Sequence, residues 1–362
     1  MKRLFINGRF LGQRVTGVQR FGREILRHLD RLLGDVSPRQ GPLDVTVLTP
    51  RGTDPGMDLQ AIRVAEMGRL QGHFWEQLEL AREVGKDMLL NLCNTGPLTT
   101  RKMITTIYDA SVFATPEAYS RGFRLWYRVL LPAIGRRSVR VITASRFSRS
   151  ELQHYAGIPL QTIVVIPGSG EHILAVAPDE EIFRRIGLQP QRYVLAVNSH
   201  SPHKNTAALC RAASLLKQSD YDIVLAGGTN TRVFGAHSGL DDGRLRVTGY
   251  VTDHELRALY QHATCFVYPS RYEGFGLPPL EAMTCGCPVI VSRAASLPEV
   301  CGDAAIYCDP TNPADIARAM DQVLGDPQLQ EELRGRSLER SRRFSWSRAA
   351  QEMLELIQDP AA

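Results

Sequence analysis

Tyr268-Pro269-Ser270-Arg271-Tyr272-Glu273-Gly274-Phe275-Gly276-Leu277-Pro278-Pro279-Leu280-Glu281-Ala282 passes from a β-type run through a glycine-rich loop into a helix. Two prolines suit the first helical turn, where their missing N–H groups would be unpaired in any case, and Gly286 closes the helix before the next apolar run. The amides around Phe275, Gly276 and Leu277 are predicted to point outward at the carboxyl end of a strand, beside Gly274. Such a nest suits diphosphate or sugar hydroxyls. Glu273 falls in the loop and Glu281 about one turn into the helix, so the pair can flank a sugar and accept hydrogen bonds from it. An isolated pair of this kind is better explained as a solvated loop charge and a helix-dipole partner. The strand, glycine loop and proline-capped helix around it favour the ligand.

Outward from this stretch, short β-type runs alternate with helical-period segments, the pattern of stacked βα units on parallel sheets. Strands are predicted at Lys2–Ile6, Leu43–Leu48, Met88–Leu92, Met103–Ile107, Val139–Thr143 and Thr162–Ile166, with helices at Val18–Leu33, Pro116–Arg136 and Ser148–Tyr155. A second, independent set follows at Tyr193–Val197, Asp222–Ala226, Leu245–Thr248, Thr264–Tyr268, Val289–Val291 and Ala304–Tyr307, with helices at Asn205–Lys217 and Asp253–Gln261. Thr252 and Glu255 form a capping box for the latter helix. Pro167-Gly168-Ser169-Gly170 through Pro190 reads as the linker, and Pro313–Ile357 as nearly continuous helix broken near Phe344-Ser345-Trp346. The expected organisation is a first domain over 1–169, a second over 170–344, and a closing helix over 345–362 packed back on the first domain. The expected fold class is α/β, with two doubly wound Rossmann-like domains facing across a cleft and ligands at the carboxyl edges of the sheets.

A length of 362 residues favours two domains, and 22% charged residues with a net charge of 43 − 38 = +5 excludes disorder, collagen and coiled coil. No window approaches ~18 uninterrupted apolar residues, and Met1–Asn7 turns polar before a signal-peptide core forms, so neither a membrane span nor export is expected. The seven cysteines are odd in number, lie mostly in apolar runs and form no CxxC pair, which predicts a reducing cytoplasm. Cys285 and Cys287 read as buried thiols rather than a metal clip, since no partner pair stands nearby.

A second polar loop, Asn198-Ser199-His200-Ser201-Pro202-His203-Lys204-Asn205, joins a strand to a helix. Lys204 at a helix start opposes the dipole unless an anion lies there, which makes it a candidate diphosphate ligand. His200 and His203 lack a third ligand and read as hydrogen-bonding or charge-supporting groups. In the first half, Asn7-Gly8-Arg9 and Thr16-Gly17-Val18-Gln19-Arg20 flank a first βα loop that is neither GxGxxG nor a Walker sequence. Asp109 ends a strand and reads equally as a site residue or a turn cap. Arg20, Arg23, Arg27 and Arg31, and again Arg121, Arg124 and Arg128, recur at helical spacing. They read as solvated faces or, more sharply, as docking to an anionic membrane surface.

Taken together, these residues resemble the retaining sugar-nucleotide glycosyltransferases of glycosyltransferase family 4, which have the GT-B fold. Glu273 and Glu281, separated by seven residues, match that family's paired glutamates. The resemblance extends over Thr16-Gly17-Val18-Gln19-Arg20, Trp75-Glu76-Gln77, Asn94-Thr95-Gly96-Pro97, Ala144-Ser145-Arg146-Phe147-Ser148, Pro202-His203-Lys204-Asn205 and Leu297-Pro298-Glu299-Val300. It implies that Glu281 holds the nucleotide ribose, Glu273 bonds the donor hexose, and Lys204 binds the diphosphate. Tyr250, Val251 and Asp253 would read the base, and Gly17 would approach the phosphates from the other domain. Two departures stand out. The arginine that often accompanies the lysine is absent, leaving Asn198, Ser199 or His203 in its place, and the family's His before Asp109 is Tyr108.

No enzyme nucleophile and no DxD metal pair is evident, so a metal-independent reaction without cofactor is expected. Retention would follow same-face attack, with the leaving phosphate taking the acceptor proton. The expected function is transfer of a hexose, mannose from GDP-mannose first, to a lipid-linked or oligosaccharide acceptor in cell-surface polysaccharide synthesis. Rhamnosyl or glucosyl transfer from dTDP, UDP or GDP donors is the near alternative. A sugar-nucleotide epimerase, a phosphorylase with pyridoxal phosphate and a non-catalytic binder are the distant ones. Nucleic acid is not among the expected partners, and the expected place is the cytoplasm, peripheral on the inner membrane.

Overall fold

The fold is taken from a computed structural model that describes residues 2–35, 43–198, 201–218, 220–228 and 243–360. The chain divides into two compact units, Met1–Gly168 with Trp346–Ala362, and Ser169–Ser345.

The first unit holds seven strands: β1 (Lys2–Asn7), β2 (Leu43–Pro50), β3 (Arg63–Met67), β4 (Met88–Asn91), β5 (Met103–Thr106), β6 (Arg140–Thr143) and β7 (Ile163–Val165). Their order is β3-β2-β1-β4-β5-β6-β7, and every pairing is parallel. Central strands such as β5 are buried along their whole length, as apolar strands covered on both faces must be. The edge strand β3 has no apolar run to announce it, and the sequence reading missed it. Three longer helices belong to this unit: α1 (Gly17–Asp35), α2 (Arg121–Arg137) and α3 (Arg146–Ala156). The helix expected over Pro116–Arg136 is in fact interrupted, because Ser120 takes an extended backbone and accepts the Phe123 amide, capping α2 afresh.

The last helix, Trp346–Gln358, packs on α1. The fully buried Trp346 meets Phe21 edge-on at 5.4 Å. A Cβ at Gly168 would come within 2.9 Å of the same indole, so the chain passes there only as glycine.

The arginine row expected on α1 is corrected by the structure. Arg23 is buried and donates to Leu11 O at 2.7 Å and Pro55 O at 2.9 Å, satisfying two loop carbonyls, while Arg27 pairs with the buried Glu24. Arg20 lies 4.0 Å from the same Glu24 carboxylate. On α2, by contrast, Leu125, Trp126 and Val129 are exposed among Arg121, Arg124 and Arg128. Among the described residues no helix is long and apolar enough to cross a membrane.

The second unit holds β8 (Tyr193–Asn198), β9 (Asp222–Gly227), β10 (Leu245–Gly249), β11 (Cys265–Tyr268), β12 (Val289–Ser292) and β13 (Ala305–Cys308), in the order β10-β9-β8-β11-β12-β13 and again all parallel. Its main helices are α4 (Thr206–Ala213), α5 (Asp253–His262), α6 (Leu277–Thr284), α7 (Pro313–Leu324) and α8 (Pro327–Ser341). The capping box opens α5, with the Thr252 amide 2.8 Å from Glu255 Oε2 and the Glu255 amide 3.2 Å from Thr252 Oγ1. Helix α4 stops at Ala213, short of the predicted Lys217. A second break in the C-terminal run falls at Asp326, whose carboxylate accepts the first two free amides of α8. The stretch read as linker is not bare: the tight turn Glu171–Ala175 and the short helix Glu181–Ile186 lie within it.

Strand order reverses between β1 and β4 in one sheet and between β8 and β11 in the other. Loops leaving those strands at their carboxyl ends diverge and leave room for a ligand.

Candidate functional site

In the second unit, the loops after β8 and β11 flank the reversal, and they are tied together by polar contacts. Asn205, at φ 62°, donates its side-chain amide to Pro269 O at 3.0 Å and Pro310 O at 2.6 Å. The Arg271 amide donates to His203 O at 2.8 Å. Ser270 Oγ lies 3.0 Å from His203 O and 2.6 Å from Glu273 Oε1. The backbone is held from the other side by Ser296, whose hydroxyl lies 2.9 Å from Glu273 O and 2.8 Å from Phe275 O.

This stitching sets Lys204 against Glu273. Lys204 Nζ donates to Glu273 Oε1 at 2.8 Å and Oε2 at 3.0 Å, and also to the Tyr268 hydroxyl. The ammonium lies 4.9 Å from the Tyr268 ring centre. Burial alone would raise the Glu273 carboxyl, but the Lys204 charge and its hydrogen bond, with that of Ser270, hold it below the usual range. Burial, then the Glu273 charge, pushes the Tyr268 phenol well up. The sequence reading had Lys204 as a cation opposing a helix dipole. It lies instead at the end of a tight turn, Pro202–Lys204, before α4, and its charge is met by Glu273.

Helix α6 begins after Gly276, whose φ of 105° and a Leu297 methyl 2.8 Å from any added Cβ exclude a side chain. Leu277 and Pro278 are half-buried at the start of the helix, and Gly274 is buried in the loop before it. Phe275 packs edge-on against Phe344 at 5.9 Å. Glu281, one turn along, is buried. Its Oε1 accepts from His172 Nε2 at 3.0 Å and its Oε2 from the Tyr260 hydroxyl at 3.0 Å. Burial, then the Glu281 charge, raises the Tyr260 phenol well above its ordinary value. His172 and Tyr260 escaped the sequence reading, because His172 lies 109 residues upstream with no motif around it.

The remaining expected residues of the second unit lie along its own carboxyl edge, and Gly17 belongs to the first unit. Tyr250 and Val251 lie between the edge strand β10 and α5, which Asp253 opens, with Tyr250 exposed. Asn198 ends β8, and Ser199 and His200 lie outside the described residues. Gly17 opens α1 in the first unit with open space around it.

The first unit gathers a polar cluster of its own beside the β1/β4 reversal. Glu76 is wholly buried in a π-wound turn, Trp75–Leu80, of the helical segment 72–84. Such turns recur at functional sites. Its Oε2 accepts from Asn7 Nδ2 at 3.0 Å, Arg9 Nε at 3.1 Å and Thr95 Oγ1 at 2.8 Å, while Asn7 also reaches Asn91 Oδ1 at 3.0 Å. Burial raises the Glu76 carboxyl, but His73 at 3.5 Å, the Arg9 charge and the Asn7 and Thr95 bonds bring it below the ordinary range.

Asp109 accepts the Ser111 amide at 2.8 Å, the turn-cap geometry. Tyr108 is buried and turned inward, its hydroxyl 2.7 Å from Leu92 O and 3.1 Å from Val18 O. All seven cysteines are free thiols. Among the described residues no group of three or more His, Cys, Asp and Glu is placed to hold a metal ion.

Residues 178–340 match the family model described as Glycosyl transferases group 1. Among curated proteins, the chain is 35% identical to O-antigen chain mannosyltransferase B of Escherichia coli, over 69% of this chain and 68% of that protein. It is 31% identical to the serotype-specific mannosyltransferase WbdA of Escherichia coli, over 69% of this chain but only 32% of that longer protein. With the GDP-mannose:cellobiosyl-diphosphopolyprenol alpha-mannosyltransferase of Komagataeibacter xylinus it shares 29% identity, over 73% of this chain and 67% of the relative. In fold it is similar to sucrose-phosphate synthase from Thermosynechococcus elongatus, with a TM-score of 0.76 at 18% identity over 99% of this chain and 98% of that one. It is also similar to Anabaena HepE solved with UDP and glucose, with a TM-score of 0.75 at 18% identity over 99% of this chain and 100% of that one.

Proposed function

The chain belongs to the group 1 glycosyltransferases and has their GT-B fold, and on that premise we propose that it is a retaining mannosyltransferase that moves mannose from GDP-mannose to a lipid-linked saccharide in surface polysaccharide synthesis. The observation that carries this reading is the contact of Lys204 with Glu273 at the β8/β11 reversal, next to the N-terminus of α6. In glycosyl transfer, negative charge grows on the departing diphosphate while the sugar carbon becomes oxocarbenium-like. A lysine and a helix N-terminus serve the first need. Glu273, held ionised beside them, serves the sugar hydroxyls. A diphosphate arriving there competes with Glu273 for Lys204, so donor binding would redirect the ammonium and free a carboxylate for the hexose.

Glu281, with each oxygen already oriented by one protein donor, keeps further lone pairs for the ribose hydroxyls. Phe275, Gly276 and Leu277 supply amides, and Tyr250, Val251 and Asp253 supply the base contacts. His203 and Asn198 are the candidates to stand in for the missing arginine. Asp109 and Gly17 keep their proposed places toward acceptor and phosphates. The relatives' names, an O-antigen mannosyltransferase and a GDP-mannose enzyme acting on a diphosphopolyprenol, support the donor and the acceptor class. The α2 arginines Arg121, Arg124 and Arg128 support a peripheral position on an anionic membrane face.

The test is incubation with GDP-mannose and a prenyl diphosphate-linked saccharide, with the product linkage read by NMR. An α-linked mannoside with release of GDP is expected, and UDP-glucose should give no product. Consumption of GDP-mannose without a glycoside would identify an epimerase or hydrolase. Binding of GDP-mannose without turnover by any acceptor would identify a binder.

A further inference from the structure

Outside the donor residues, the first unit carries a pocket of about 700 Å³ at the carboxyl ends of β1 and β2. Arg9, Arg14 and Arg51 line it together, with the backbone of Gly12, Gly52 and Gly72 between them. The carboxylate in the lining, Asp54, accepts the amide of Gly56 in its own turn at 2.8 Å. Arg9 is anchored by Glu76 and by Thr95, to which Nη2 donates at 2.7 Å, so its guanidinium has a fixed aspect. Three arginines line this one pocket, and the planar fork of a guanidinium matches phosphate oxygens in pairs. Added Cβ atoms at Gly52 and Gly72 would meet nothing within 4 Å, so the walls leave open space beside those backbones.

An apolar surface begins where the pocket ends. Gly72, in the pocket wall, starts the helical segment whose Phe74 and Leu78, one turn apart, are 73% and 60% exposed. His73, between them in sequence, meets the ring of Trp126 at 5.8 Å and that of Tyr127 at 6.5 Å, which joins this segment to α2. There Leu125 and Val129 are 70% and 62% exposed. Large apolar side chains grouped in this way mark an interaction surface.

We propose that this combination is the acceptor site, with Arg9, Arg14 and Arg51 holding a diphosphate and Phe74, Leu78, Leu125, Trp126 and Val129 receiving the prenyl chain attached to it. The site rests on the reading that the enzyme glycosylates a lipid-linked saccharide, and adds which residues select it. A soluble glycan needs neither half. A plain anionic bilayer needs no arginine-lined pocket for a diphosphate.

The experiment measures binding of farnesyl diphosphate, inorganic pyrophosphate and farnesol to the full chain by calorimetry, in saturating GDP so that the donor site is filled. Wild type, Arg14→Ala/Arg51→Ala, Leu125→Ser/Val129→Ser and Lys204→Ala are compared, and GDP binding is measured for each. Farnesyl diphosphate is expected to bind wild type and Lys204→Ala alike, at least tenfold more tightly than either pyrophosphate or farnesol. The arginine variant should lose at least tenfold for both diphosphates, and the apolar variant should lose it for farnesyl diphosphate alone, with GDP affinity retained in both. Equal binding of farnesyl diphosphate by wild type and the arginine variant would overturn the proposal, as would equal binding of farnesol and farnesyl diphosphate. Failure of wild type to bind GDP or GDP-mannose, with the farnesyl diphosphate pattern intact, would overturn the donor reading and leave this site standing.

Discussion

Lys204 Nζ lies within 3.0 Å of both carboxylate oxygens of Glu273, across the point where the strand order of the second sheet reverses. The pair is largely buried, with Lys204 18% and Glu273 11% exposed along their side chains. Removing one member of a buried pair leaves a charge without a partner, whereas removing both leaves none. Lys204→Met and Glu273→Gln should each lower unfolding free energy by about 2 kcal/mol, and the double variant by less than the sum. Urea unfolding of the four proteins measures the coupling. Additive losses would mean that the contact carries no stabilising energy. Turnover should fall by roughly 10²-fold or more in each single variant, since one preorganised charge at a leaving group contributes on that order.

Where Glu281 holds the ribose as proposed, His172 orients its carboxylate for that contact. His172→Ala should raise the dissociation constant of the nucleotide about tenfold, equivalent to about 1.4 kcal/mol, while kcat at saturating donor changes less. His172→Gln, which keeps a donor, should recover part of the affinity. A fall in kcat with unchanged donor affinity would remove this assignment.

The helix that carries Glu281 was legible and its support was not, for a physical reason. Glu273, Gly276, Pro278 and Glu281 lie on one continuous strand, loop and helix, so spacing alone brings them to one edge. His172 and Glu281 meet only because the tight turn Glu171–Ala175 is folded beneath α6, and nothing local to either residue encodes that. Arg23 misled for the converse reason: helical spacing placed it among Arg20 and Arg27, but two loop carbonyls decide that it is buried. The sheets were read well wherever strands are apolar on both faces. The half-exposed β3 carries no such signal.

Acidification should destabilise the protein through Glu273 and Glu76. Both carboxyls are held below their ordinary value in the fold, so the unfolded chain binds protons first as the pH falls. Their contribution is fully present above about pH 4.3, the unperturbed glutamate value, and is lost as pH drops through the lower folded values. Glu76→Gln should therefore show a shallower fall in melting temperature between neutral and acid pH than wild type. An identical fall would indicate that Glu76 is not held ionised.

Tyr108 serves the interior of the first unit. Tyr108→Phe should cost about 1 kcal/mol of stability by leaving the Leu92 carbonyl without its hydroxyl donor, with kcat and KM unchanged. A selective loss of acceptor affinity would return Tyr108 to the site.

The closing helix changes how the polypeptide must come off the ribosome. Residues 1–168 emerge first, yet the face of α1 that carries Phe21 waits for Trp346, which is translated only after the whole second unit. The earlier-made half is thus the later one to finish, with an apolar face uncovered while 169–345 are synthesised and folded. A premature stop or a bulky tag near the carboxyl terminus would damage the amino-terminal sheet unit first, leaving the second unit with its full complement of chain.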